Sequence, residues 1–194
     1  NSMISKNDFN KLAKKGYNRI PLMCEVLADL DTPLSTYTKI CNFPYSYLFE
    51  SVEGGEKWGR YSIIGLPAKK IISVTGEKVK ITENSKLIDE YNTSDPLKEI
   101  EKIQQSYKVA QIEGMPRFSG GLVGYFGYET IRYIEPKLNK NNKEDPIGSP
   151  DILLMVSDEV VVFDNLSGKL FIIVHADPKK NDAYSNALQR LDDI

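Results

Sequence analysis

From residue 45 to residue 65 the chain reads Tyr-Ser-Tyr-Leu-Phe-Glu50-Ser51-Val-Glu-Gly-Gly-Glu-Lys-Trp-Gly-Arg60-Tyr61-Ser-Ile-Ile-Gly. Residues 45–52 and 58–64 are aromatic and apolar enough to be strands, and Gly54-Gly55 between them suits the turn of a hairpin. Such a hairpin brings Glu50 and Ser51, at the end of one strand, near Arg60 and Tyr61 at the start of the next. A carboxylate, a hydroxyl and a guanidinium converging there suit a zwitterion. The carboxylate takes an ammonium group, while the hydroxyl and the guanidinium take a carboxylate. The same spacing also fits a cross-strand Glu50–Arg60 pair with Ser51 as an edge polar residue.

The other chemistry-bearing residues point to less. In Phe118-Ser-Gly120-Gly121-Leu-Val-Gly124-Tyr-Phe-Gly127-Tyr128 the glycines do not fit G-x-G-x-x-G, and the Lys-Ser/Thr of a P-loop is missing. The segment reads as a strand whose glycines permit bulges or close approach of another backbone, with the intervening aromatics packed into the space left. Glu50, Glu53, Glu56, Glu129 and Glu135 are available for acid–base work, but no spacing pairs two of them in a buried site. Nor does any carboxylate cluster read as a magnesium site. The single histidine, His175, closes an apolar strand. With no Cys/His cluster near it, it argues against a zinc centre or a triad hydrolase. Cys24 and Cys41 make neither a disulfide framework nor a C-x-x-C motif and read as reduced core residues.

The scaffold for these residues is ordinary in composition. The chain has 194 residues, 25 Lys plus Arg against 27 Asp plus Glu, and 41% hydrophobic residues. That length suits one domain. A net charge of −2 lacks the surplus cations that a nucleic-acid binder needs. The apolar runs fall well short of the roughly 20 residues that cross a bilayer, and no signal peptide precedes them. The expectations are therefore no nucleic-acid partner, no membrane and a cytoplasmic location. Asn1 and Ser2 ahead of Met3 read as a cloning scar, and residues 1–17 as that scar plus a helical lead-in.

Residues 19–28 read as a strand. Thr32 as N-cap and Pro33 at the first helical position start a helix carrying Leu34, Tyr37 and Ile40. Residues 70–74 and 78–82 flank Thr75-Gly76-Glu77 as a hairpin. Asp95-Pro96 opens a helix with the stripe Leu97, Ile100, Ile103 and Tyr107. Residues 129–134 read as a short helical turn and 137–150 as an exposed loop. Residues 152–164 and 169–176 read as two long strands around the turn Asn165-Leu-Ser-Gly168, and 182–194 as an amphipathic helix. Hairpins with few helices predict an α+β fold with a mainly antiparallel sheet.

Taken in order, several motifs resemble the N-terminal region of the chorismate-utilising enzymes, and of anthranilate synthase component I in particular. They are Arg19-Ile-Pro-Leu, Asp31-Thr-Pro-Leu-Ser-Thr-Tyr, the stretch from Phe49 to Gly65, Phe118-Ser-Gly-Gly-Leu-Val-Gly-Tyr-Phe-Gly-Tyr-Glu, and Ile131-Arg-Tyr-Ile-Glu. The resemblance implies that residues 18–194 are a regulatory N-terminal domain, half of that family's α/β sandwich, and that a C-terminal chorismate-binding catalytic domain is absent. It implies an intact lyase of tryptophan biosynthesis that turns chorismate and ammonia into anthranilate and pyruvate. Mg2+ would be held by the absent domain, and a glutamine amidotransferase subunit, component II, would supply the ammonia.

No catalytic residue or metal ligand carries over, so this chain alone is expected to be inactive. The family's Leu-Leu-Glu-Ser motif appears as Leu48-Phe49-Glu50-Ser51, with Phe in second place. By that match Ser51 is the first contact for L-tryptophan, the feedback inhibitor. Glu50 comes next, toward its amino group, and then Arg60 or Tyr61. The alternatives are component I of 4-amino-4-deoxychorismate synthase, in the folate pathway, and a stand-alone amino-acid-binding module.

Overall fold

The structure, a computed structural model, describes residues 4–28, 31–41, 43–50, 61–116, 120–127 and 149–194. The chain begins with helix Lys6–Lys14 (α1), strand Ile20–Leu27 (β1) and helix Pro33–Ile40 (α2), then strands Tyr47–Glu50 (β2) and Tyr61–Gly65 (β3). Strands Lys70–Thr75 (β4), Lys78–Glu83 (β5) and Lys86–Asn92 (β6) and helix Pro96–Ser106 (α3) follow. Strands Gly121–Phe126 (β7), Ile152–Ser157 (β8), Glu159–Asp164 (β9) and Lys169–Ala176 (β10) and helix Ala183–Asp193 (α4) complete it. The result is the α+β architecture that the hairpin-rich sequence predicts. Two units gather these elements, the first from Asn1–Ala68, Tyr107–Gly121 and Ser157–Ile194, the second from Lys69–Ser106 and Leu122–Val156.

The first unit holds a five-stranded sheet in the order β1-β10-β9-β3-β2, antiparallel at every pairing. Alternation along β1 and β10 turns Ile20, Leu22, Val174 and Ala176 to one face, where Phe9 of α1 and Ala187 and Leu191 of α4 cover them. Burying each such Ile, Leu or Phe contributes roughly 1.5–3 kcal/mol. A neighbouring cluster joins Ile64, Leu66, Val161 and Phe163 to Tyr37 and Ile40 of α2 and to Leu48 of β2. α2 starts where the sequence says it should. Thr32 Oγ1 accepts from the Ser35 amide at 3.1 Å, and Ser35 Oγ accepts from the Thr32 amide at 2.9 Å, a capping box ahead of Pro33.

The second unit holds a sheet in the order β6-β5-β4-β8-β7. Thr75 pairs with Lys78, so Gly76 and Glu77 make a two-residue turn, with Gly76 at φ +59. Ile72, Val74, Val79 and Ile152 are fully buried. The Lys98 amide donates to Asp95 Oδ1 at 3.2 Å, starting α3, and Tyr91 of β6 donates to Glu99 at 2.7 Å, fastening that helix to its sheet.

Four features differ from the sequence expectation. The apolar run 152–164 is two strands, not one: β8 belongs to the second sheet and β9 to the first. They part at Asp158, whose carbonyl accepts from the His175 amide at 2.8 Å and whose carboxylate accepts from Arg19 Nε at 3.0 Å. The third helix ends at Ser106, and Tyr107 instead lies under the Arg19 guanidinium, 4.9 Å from its ring centroid. β6, an edge strand with no buried side chain, went unread. Tyr125 and Phe126 are exposed, at 43% and 55%, rather than packed between glycines. The Gly54-Gly55 turn, the helical turn at 129–134 and most of the loop at 137–150 lie outside the described residues.

Candidate functional site

Among the described residues β2 is an edge strand, laddered to β3. Their register sets Glu50 opposite Ser62 and Phe49 opposite Ile63. Glu50 is exposed at the end of the strand. Tyr61 begins β3, opposite Asp164 of β9. Because side chains alternate along a strand, Glu50 and Tyr61 leave the ladder on opposite faces. Ser51 and Arg60, the other two expected contacts, lie outside the described residues.

Beside Glu50 stands a pair that the sequence reading passed over. Ser62 is 2% exposed, and its Oγ accepts from Asn165 Nδ2 at 3.1 Å. Asn165 opens the β9–β10 turn, which Asp164 shapes by accepting from the amides of Leu166 at 3.1 Å and Ser167 at 3.4 Å. One end of this sheet thus carries a carboxylate, a hydroxyl, an amide and a phenol on adjacent strands.

The remaining candidates resolve as structure. A Cβ at Gly124 would fall on the Leu153 carbonyl, and one at Gly120, where φ is +136, would come 2.5 Å from the Ser157 carbonyl oxygen. Gly120 and Gly124 therefore serve close backbone approach, as expected. His175 is buried at the end of β10. Cys24 and Cys41 are free and half-buried, and burial pushes the Cys41 thiol up. Burial likewise raises the Asp158 carboxyl, against the pull of Arg19. Among the described residues no three His, Cys, Asp or Glu converge on a possible metal position. Those residues offer no set of ligands for Mg2+. Among the described residues no helix is long and apolar enough to cross a membrane.

The family model described as chorismate binding enzyme matches residues 46–194. The anthranilate synthase component 1 of Pseudomonas putida is 53% identical over 188 residues, 97% of this chain and 38% of that protein. Its counterpart in Neisseria meningitidis serogroup C is 51% identical over 195 residues, 99% of this chain and 40% of that protein. The chain thus spans 38–40% of the length of these curated relatives. The crystal structure of anthranilate synthase component I from Streptococcus pneumoniae TIGR4 shares the fold at a TM-score of 0.52 and 23% identity, over 87% of this chain and 36% of that one. The matched span takes in β2, β3 and every element after them, including both polar strand ends described above; the chain belongs to the chorismate binding enzyme family.

Proposed function

We propose that this chain is the N-terminal regulatory part of an anthranilate synthase component I and forms one wall of its L-tryptophan feedback site. The observation that carries this reading is the 53% identity to the Pseudomonas putida anthranilate synthase component 1 over 97% of the chain. In this reading Ser51 contacts tryptophan first, Glu50 faces its ammonium group, and Arg60 or Tyr61 comes after them. The exposure of Glu50 at the end of β2, an edge strand among the described residues, supports a ligand at this position.

The intact enzyme would convert chorismate and ammonia to anthranilate and pyruvate in the cytoplasm. Ammonia would come from a glutamine amidotransferase, component II. Mg2+ and the acid–base residues would lie in the length of the relatives that this chain does not span. Tryptophan would act by population shift, favouring an arrangement unable to assemble the chorismate site, and chorismate would weaken tryptophan binding by the same factor.

The test is Ser51→Phe in the full-length enzyme, with anthranilate formation followed by fluorescence at rising tryptophan concentrations. The expected result is a rise in the inhibition constant on the order of tenfold or more, the scale of one lost buried contact. Unchanged inhibition would remove Ser51 from the site. A 4-amino product in place of anthranilate would assign the enzyme to the folate branch.

A further inference from the structure

We propose that Tyr47 and Ser157 are positioning residues for Glu50 at the end of β2, acting through a buried hydroxyl–hydroxyl hydrogen bond. The inference rests on the tryptophan-site reading above and adds to it the device that sets the geometry of that site.

β2 is short and, among the described residues, lies at the edge of its sheet with β3 as its ladder partner. With only four residues β2 has few cross-strand pairs to hold its register, and a slip of one residue moves every side chain to the other face. The side chain that opposes such a slip here is Tyr47. It is 7% exposed, and its ring lies directly over Gly65, where a Cβ would occupy the ring's own space. Gly65 is its register partner, so the ring can seat at this one height along β3. Phe49 flanks it, with ring centroids 4.8 Å apart. The tyrosine hydroxyl then meets Ser157 Oγ at 2.7 Å, and burial keeps the phenol protonated by raising its ionisation.

Ser157 is a firm anchor. It is 2% exposed, and the residue after it, Asp158, is held through its carbonyl by His175 and through its carboxylate by Arg19. Arg19 is in turn paired with Asp177, at 3.6 Å, and stacked on Tyr107. The hydroxyl pair thus joins a weakly laddered edge to a multiply bonded junction. Glu50 is the third residue beyond Tyr47, about 10 Å along a strand. Fixing residue 47 therefore fixes the height and the face at which Glu50 is presented. Neither hydroxyl needs to touch the ligand for this.

The experiment uses Tyr47→Phe, Ser157→Ala and the double variant in the full-length enzyme, with ammonium as nitrogen source. Each single change leaves one buried hydroxyl unpaired and lowers the melting temperature. Removing both relieves that penalty and restores most of the melting temperature. If the bond positions the site, the tryptophan inhibition constant rises about fivefold or more in all three variants, the double included. Inhibition that recovers in the double together with the melting temperature would overturn the proposal and leave the pair a purely structural role. Ser51→Phe is assayed alongside. Loss of inhibition there, with wild-type inhibition in the three hydroxyl variants, overturns the positioning role alone. Retained inhibition in Ser51→Phe overturns the site reading and the positioning role together.

Discussion

Gly65 is the residue on which the β2 edge depends most directly. Tyr47 occupies the volume that any other side chain there would need. Gly65→Ala should therefore force the tyrosine off its seat, at a cost of about 1–3 kcal/mol in urea unfolding, the range for overpacking a well-filled site. An unchanged midpoint would mean that the ring has another place to go. That residues 47–50 and 61–65 are strands was legible from sequence, because aromatic and apolar runs mark strands locally. The Ser62–Asn165 hydrogen bond was not. Its partners are 103 positions apart, and neither carries a mark of the other. The opposite faces taken by Glu50 and Tyr61 were equally hidden, since they depend on a register that residue types do not state.

Elements with local chemistry at their ends were the readable ones. Thr32 and Ser35 satisfy two amides at the start of α2, and α3 begins on Asp95. Thr32→Ala should cost about 1 kcal/mol, the usual loss for an N-cap oxygen, and amide exchange should accelerate in α2 before it does in β9 or β10. Equal acceleration throughout would show that α2 opens only with the whole unit. Elements defined by tertiary context were not readable. β6 has no buried face, so the period-2 signal that marks a strand has nothing to report. It exists because β5 offers it a ladder, one with a bulge between Ile81 and Thr82. The stripe that carried α3 on to Tyr107 failed because Arg19 offers that ring a cation to lie against.

At the scale of the molecule, contacts gather the chain into two units. No linker or shift in composition announces the division, because the first unit draws on three separate stretches and the second on two. The proposed tryptophan site has its own whole-molecule consequence. If part of it lies in the length of the relatives that this chain does not span, calorimetry of these 194 residues with tryptophan should show weak or no heat of binding. Tight stoichiometric binding would favour the stand-alone amino-acid module instead.

Asp158 has one more consequence, for how the sequence is free to vary. In β8 buried and half-buried residues alternate over most of its length, while β9 is buried at nearly every position. Consecutive stretches of one apolar run thus obey different rhythms, counted from different origins, β8 against β4 and β9 against β3 and β10. Asp158 acts as a phase break between them. A length change at that point forfeits the Arg19 and His175 bonds yet leaves both countings intact, whereas the same change a few residues to either side would invert a whole strand.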